Sequence, residues 1–193
     1  MLYESLLLLK AQLNAYFSEL HERITSIDPN PVVLENIAAL SETQLLAAHN
    51  IYLTQINLVE EASLRNSPHF RRQDERTIYE QPPVYINLHI LFSVVMRSNY
   101  ETALLHLSHL IKYFQGQTVF HNKMTPDHHF GTQTSFKLTM ELYSPTLEQV
   151  NYLWSTLGGK QYPFALYTLR VLEMKRESLL DTGIPVTEII LND

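Results

Sequence analysis

The sequence predicts an α+β domain, a mainly antiparallel β-sheet with amphipathic helices packed on it. Three observations lead there. The first is the stretch Gln81–Met96, QPPVYINLHILFSVVM, in which Val84, Ile86, Leu88, Ile90, Phe92, Val94 and Met96 share one parity. A period of two marks one face of a β-strand, and so long a run does not fit a 3.6-residue helical period. The second is Leu2, Leu6, Leu9, Leu13, Phe17, Leu20 and Ile24, spaced as the buried stripe of a helix. The third is the order of such signals along the chain: helix, strands, helix, strand, helix, strand.

The first helix runs from Leu2 to near Ser26, with Pro29 and Pro31 beyond it as stops. Val32–Leu34 reads as a short strand. Glu35–Asn50 has two readings, a helical turn at ETQLLAAH or a long surface connection. Ile51–Glu61 predicts a second strand. Ile51 and Leu53 fall on one parity and Ile56 and Leu58 on the other, so either a bulge near Gln55 or a strand apolar on both faces is expected. Ala62–Glu80 is polar and irregular and reads as a long loop. Pro82 and Pro83 set the start of the central strand, because proline cannot donate to a sheet ladder. At ~3.3 Å per residue that strand would extend roughly 40 Å, so it should bend or carry a bulge. Its mixed second face calls for a neighbour on each side and some cover.

Asn99 is placed to cap a helix over Tyr100–Phe114, with a buried stripe of Tyr100, Leu104, Leu107, Ile111 and Phe114 and with Gly116 ending it. Val119–Phe130 is a histidine-rich connection. Phe136–Tyr143 alternates as a half-exposed strand. Ser144 and Pro145 read as an N-cap and first-turn proline. They open a helix to about Leu157 that buries Leu147, Val150, Trp154 and Leu157 against the sheet, and Gly158 and Gly159 terminate it. Tyr162–Met174 is a further strand and Ile184–Leu191 a last short one.

The 193 residues fit one domain, with residues 182–193 as a C-terminal arm. A composition of 45% hydrophobic and 18% charged residues supports a sizeable core. The chain contains no cysteine, which excludes disulfides, thiolate metal sites and a thiol nucleophile. A formal charge of −6 argues against a sequence-independent nucleic-acid binder, which would present a basic face. Lys10 interrupts the Leu6–Leu9 run and no basic residue precedes it, so no signal peptide is expected. No run approaches the length of a membrane span.

Motifs for catalysis are missing. With five glycines there is no phosphate cradle, and GxSxG, HExxH and a paired-carboxylate signature are absent as well. The nearest to a metal site is His121 with Asp127, His128 and His129, since imidazoles and a carboxylate can bind zinc or copper. Adjacent histidines on irregular backbone tend to point apart, and a solvated loop is the favoured reading. His106 and His109, three apart on one helix, read as part of a polar face. No cofactor, metal or small-molecule substrate is expected, and the chain does not read as an enzyme. Arg65, Arg71, Arg72 and Arg76 cluster in the 62–80 stretch among Asp74, Glu75 and Glu80, which suits a solvated loop or one that meets a partner. Ile184, Val186, Ile189, Ile190 and Leu191 are too apolar for a free end. They need a strand partner, in the chain's own sheet or in a neighbouring subunit by strand addition.

PPVYINLHILFS, then NYETALLHLSHLIKYFQGQTVF, then KLTMELYSPTLEQVNYLWSTLGGKQYPFALYTLRVLEM resembles the terminator or cap protein of extracellular contractile injection systems, phage-tail-like particles of the antifeeding-prophage type. The resemblance runs from the first helix to about Met174. Its most specific part is LEQVNYLWSTLGGKQYPFALY, a lone tryptophan in a helix closed by Gly-Gly and followed by an aromatic strand. It implies a hexameric ring that ends the tube and sheath opposite the baseplate, with further copies of itself, inner tube subunits and sheath subunits as partners. It brings no catalytic residues. It implies assembly in the bacterial cytoplasm into a released or membrane-associated particle. Some members carry extra C-terminal sequence, and functions tied to that extension are not expected of these residues. Arg65, Arg71, Arg72, Arg76, Ile184, Val186 and Ile190 are the candidate interface residues. An adaptor or assembly chaperone of the same particle is the alternative, and a metal-dependent enzyme using His121, His128 and His129 is a more distant one.

Overall fold

The computed structural model describes residues 2–64, 70–73, 76–80, 83–96, 99–121, 137–174 and 179–183, without the side chains of 70–80 and 171–183. The fold is α+β. The main sheet has six strands in the order β1-β2-β5-β8-β7-β6. These are β1 (Val32–Leu34), β2 (His49–Glu60), β5 (Val84–Met96), β8 (Phe164–Met174), β7 (Lys137–Tyr143) and β6 (Val119–His121). Only β1 is parallel to its neighbour; the other pairings are antiparallel.

β5 is the middle of the sheet, with β2 on one side and β8 on the other, as its two apolar faces require. Ile86, Leu88, Ile90, Phe92, Val94 and Met96 lie in one core with Leu6, Leu8, Leu9, Leu13 and Phe17 of α1 (Leu2–His21) and Ala103, Leu110 and Phe114 of α3 (Tyr100–Gly116). The opposite parity, Leu91 and Val95, lies in a second core with Tyr52, Leu166 and Trp154 of α4 (Leu147–Thr156); Leu45 of α2 (Glu42–Ala47) packs against it. The strand carries the expected irregularities, a register shift against β2 between Gln55 and Asn57 and one against β8 between Ile86 and Leu88. The first explains the parity switch in β2. The extra residue at Ile56 is absorbed, so Leu58 lies opposite Leu88 of the first core while Ile56 packs on the second.

Side chains secure the short elements. The Asn14 amide donates to the Val32 carbonyl at 3.0 Å and accepts from the Val32 N–H at 2.9 Å, which clamps β1 to α1. Buried Thr54 donates to the Glu35 carbonyl at 2.7 Å and accepts from the Ile37 N–H. The ambiguous 35–50 stretch is a 3-10 turn capped by Asn36, then α2 opened by a Ser41–Gln44 capping box.

Five expectations are corrected. α1 ends at His21, and turns continue to Ile27. The 62–80 stretch is not a plain loop. It holds a 3-10 turn at Ala62–Leu64 and a hairpin of β3 (Phe70–Gln73) and β4 (Arg76–Glu80), which β9 (Leu179–Gly183) completes as a second, antiparallel sheet. Its strands are so short and arginine-rich that the alternation does not stand out. Part of the 119–130 connection is β6, which pairs with β7. In α3 the buried residues are Ala103, His106, Leu110 and Phe114, whereas Tyr100, Leu104 and Ile111 are exposed. A histidine in the middle of the true stripe breaks its apolar period. Gly116 is the last helical residue and needs no left-handed conformation, since Gln117 caps the end. In α4 the cap is Thr146, which forms a capping box with Gln149; Ser144 and Pro145 precede it and Leu147 is 89% exposed. Gly158 and Gly159 do end α4, with φ of 107° and 80°, values that favour glycine. The predicted strand at 184–191 lies outside the described residues.

Candidate functional site

The described histidines do not converge. His106 is fully buried; its Nδ1–H donates to the Thr102 carbonyl at 2.8 Å and its Nε2 accepts from the Asp28 N–H at 3.1 Å. Its ring stacks on Phe17, so it stitches α3 to the segment after α1 and is no part of a polar face. His109 sits beside the Tyr16 hydroxyl, and burial, with help from Lys112 and His106, holds its pKa below the usual histidine value. Burial pushes Tyr113 and Tyr167 up to about 12, as expected of phenols packed into an aromatic core. His121 is exposed at the end of β6; Asp127, His128 and His129 lie outside the described residues. Among the described residues no group of three or more His, Cys, Asp or Glu is placed to hold a metal ion.

The arginine cluster is partly assembled. Arg71 and Arg72 lie in β3 and Arg76 in β4, with Arg71 opposite Ile78, Arg72 opposite Thr77 and Arg76 opposite Gln73. That register places positions 71 and 76 on one face of the ribbon and 72 on the other. Arg65, Ile184, Val186 and Ile190 lie outside the described residues.

Two surface features were not anticipated. The first is a groove of about 590 Å³ over the second face of the sheet. Leu166, Ile56, Leu153 and Leu157 form its apolar part, and Asn36, Gln55, Asn57 and Gln149 stand exposed around it. Among the described residues no Asp, Glu, Lys or Arg lines it. Its lining comes from β2, β5, β7, β8, α4 with Pro145 before it, and the turn at Asn36 and Ala38, so no single stretch of sequence announces it. The second feature borders the groove. β1 pairs only with Ile51–Leu53, and beyond Leu53 no described strand pairs with β2 on that side. The open length Gln55–Val59, QINLV, contains no charge and no proline. Leu58 is 48% and Val59 42% exposed there. A smaller pocket of about 310 Å³ lies between α2, the start of α3 and the 160–163 segment. A Lys160–Glu42 ion pair bridges its mouth and holds the Glu42 carboxyl below its ordinary range.

These surfaces belong to a fold that recurs in solved structures. One is the PVC sheath/tube terminator of an extracellular contractile injection system in its extended state, with a TM-score of 0.58, 12% identity, and cover of 93% of this chain and 62% of that one. Another is the tube-terminating cap of the anti-feeding prophage, with a TM-score of 0.54, 14% identity, and cover of 80% of this chain and 52% of that one. The present chain thus spans between half and two thirds of the length of either. No curated protein sequence matches it. The family described as the Pvc16 N-terminal domain matches residues 7–188, from the first turns of α1 to beyond β9. With that match over nearly the whole sequence, and the fold shared with two terminators, the chain belongs to the Pvc16 N-terminal domain family.

Proposed function

We propose that this chain is a structural terminator subunit, which closes the end of the tube and sheath of a contractile injection particle as one member of a ring of six. The observation that carries the reading is the shared fold over 93% of the chain with a protein described as a sheath/tube terminator. Six-fold symmetry follows the tube and sheath that the sequence resemblance implies. In this reading residues 1–193 act as one terminator-like unit, with residues 182–193 as an arm, and no substrate is turned over. The subunit is assembled in the bacterial cytoplasm and leaves as part of the particle.

A ring is built from heterologous contacts, in which different patches of one subunit meet. The stretch holding Arg65, Arg71, Arg72 and Arg76, interspersed with Asp74, Glu75 and Glu80, and the acidic remainder of a chain of net charge −6 are the pair of patches this reading assigns to such a contact. Mixing the protein with tube subunits should produce capped tubes of limited length in negative-stain images, and light scattering should register the ring. A protein that stays monomeric and never associates with tube or sheath ends overturns the reading.

A further inference from the structure

The open edge of β2 and the uncharged groove beside it are one acceptor site, and we propose that its occupant is the segment Val186–Leu191 of a neighbouring copy, added as a strand. The inference rests on the ring reading and specifies how one contact between subunits is made.

The edge itself is the first argument. A sheet edge is a row of backbone donors and acceptors, and proteins commonly blunt it with lysine, proline, a bulge or very short length. Gln55–Val59 is five residues long with neither charge nor proline, and its only such device is the shift between Gln55 and Asn57. The Leu58 N–H donates to the Asn57 side-chain oxygen at 2.9 Å, a local acceptor that an arriving carbonyl can replace. Leu58 lies opposite Leu88 of the first core and Val59 opposite Asn87, so the open edge is apolar on both of its faces. An added strand would cover both.

The chemistry of the segment is the second argument. Pro185 cannot donate to a ladder, so pairing would begin at Val186, and Val186–Leu191 is long enough to span the five residues of the edge. Val186, Thr187, Ile189 and Ile190 are β-branched, which suits a strand. The alternation separates Thr187, Ile189 and Leu191 from Val186, Glu188 and Ile190. The set without a charge belongs over the groove, where no charged side chain among the described residues meets Glu188.

The direction of the chain is the third argument and selects a neighbouring copy. Gly183 is opposite Thr77, near the hairpin end of β4, whereas the link from β4 to the main sheet leaves from Glu80 at the other end. A segment continuing past Gly183 therefore leaves at the end of the small sheet remote from its own β5. To reach its own β2 it would first have to reverse along β4.

The absence of cysteine makes the test clean. Two full-length variants, Val59→Cys and Ile189→Cys, at positions that share the groove face, are mixed and treated with a short bismaleimide, and the linked peptides are identified by mass spectrometry. The expected result is a 59–189 link between the two proteins. It should be lost when Leu58→Lys is added to the Val59→Cys protein, with melting temperature unchanged, because Leu58 is on the surface. No 59–189 link in the mixture overturns the inference. A ring that assembles without the link overturns the inference and leaves the terminator reading standing. A link between copies that never associate with tube ends upholds strand addition and defeats the terminator reading.

Discussion

Trp154 shows how much one residue carries. It is 4% exposed and packs its ring edge against Tyr162 and Phe164 at centroid distances of 6.0 and 5.5 Å, in the core that includes Tyr52, Leu91 and Leu166. Its buried Nε1–H has no hydrogen-bond partner among the described residues, so its value to the fold is in packing and not in polarity. Trp154→Ala should lower unfolding free energy by ~3–5 kcal/mol in denaturant titrations, the range for truncating a large buried aromatic. Leu147→Ala, at a residue 89% exposed on the same helix, should stay within about 0.5 kcal/mol of the parent. A Trp154→Ala protein as stable as the parent but unable to cap tubes would move Trp154 from the core to a contact surface.

At the scale of elements, helix starts were decided by caps. Two signals compete before α4, Ser144-Pro145 and Thr146-x-x-Gln149. The second wins because it satisfies two orphan donors reciprocally: the Thr146 side chain accepts from the Gln149 N–H, and the Gln149 side chain accepts from the Thr146 N–H at 2.9 Å. Thr146→Ala should therefore cost about 1 kcal/mol of stability in thermal or chemical melts, whereas Ser144→Ala should be near neutral. Equal losses at the two positions would contradict the assignment. In α3 the cap is legible and the phase is not. Asn99 accepts from the Thr102 N–H as expected, but the buried face turns about His106. A polar residue inside a buried stripe is tolerated because both ring nitrogens are satisfied, and that satisfaction exists only once Asp28 has been brought to it.

For the whole molecule, the main sheet is covered on both faces, by α1 and α3 on one side and α2 and α4 on the other, while β2 and the small sheet offer edges. Deleting residues 184–193 should leave the monomer's melting temperature unchanged and abolish ring assembly. A monomer that melts lower or aggregates would assign the arm to its own sheet. Deletion from Leu179 should in addition destabilise the monomer, because it strips β9 from β4 and exposes that strand's ladder.

The sequence by itself determined the fold class, the central strand and its irregularities, the positions of most helices and strands, and the family. Each rests on a local pattern: a period of two in Val84–Met96, a period near 3.6 in Leu2–Phe17, the Gly158–Gly159 stop, and the LEQVNYLWSTLGG run. Only the tertiary structure decided which face of α3 is buried, that the arginine stretch is a hairpin, that His106 is a core residue, and where the groove and the open edge lie. These depend on which groups distant in sequence meet: Asp28 with His106, and β9 with β4. A hydrogen bond or a sheet edge is a property of two segments at once, and no window along one segment contains it.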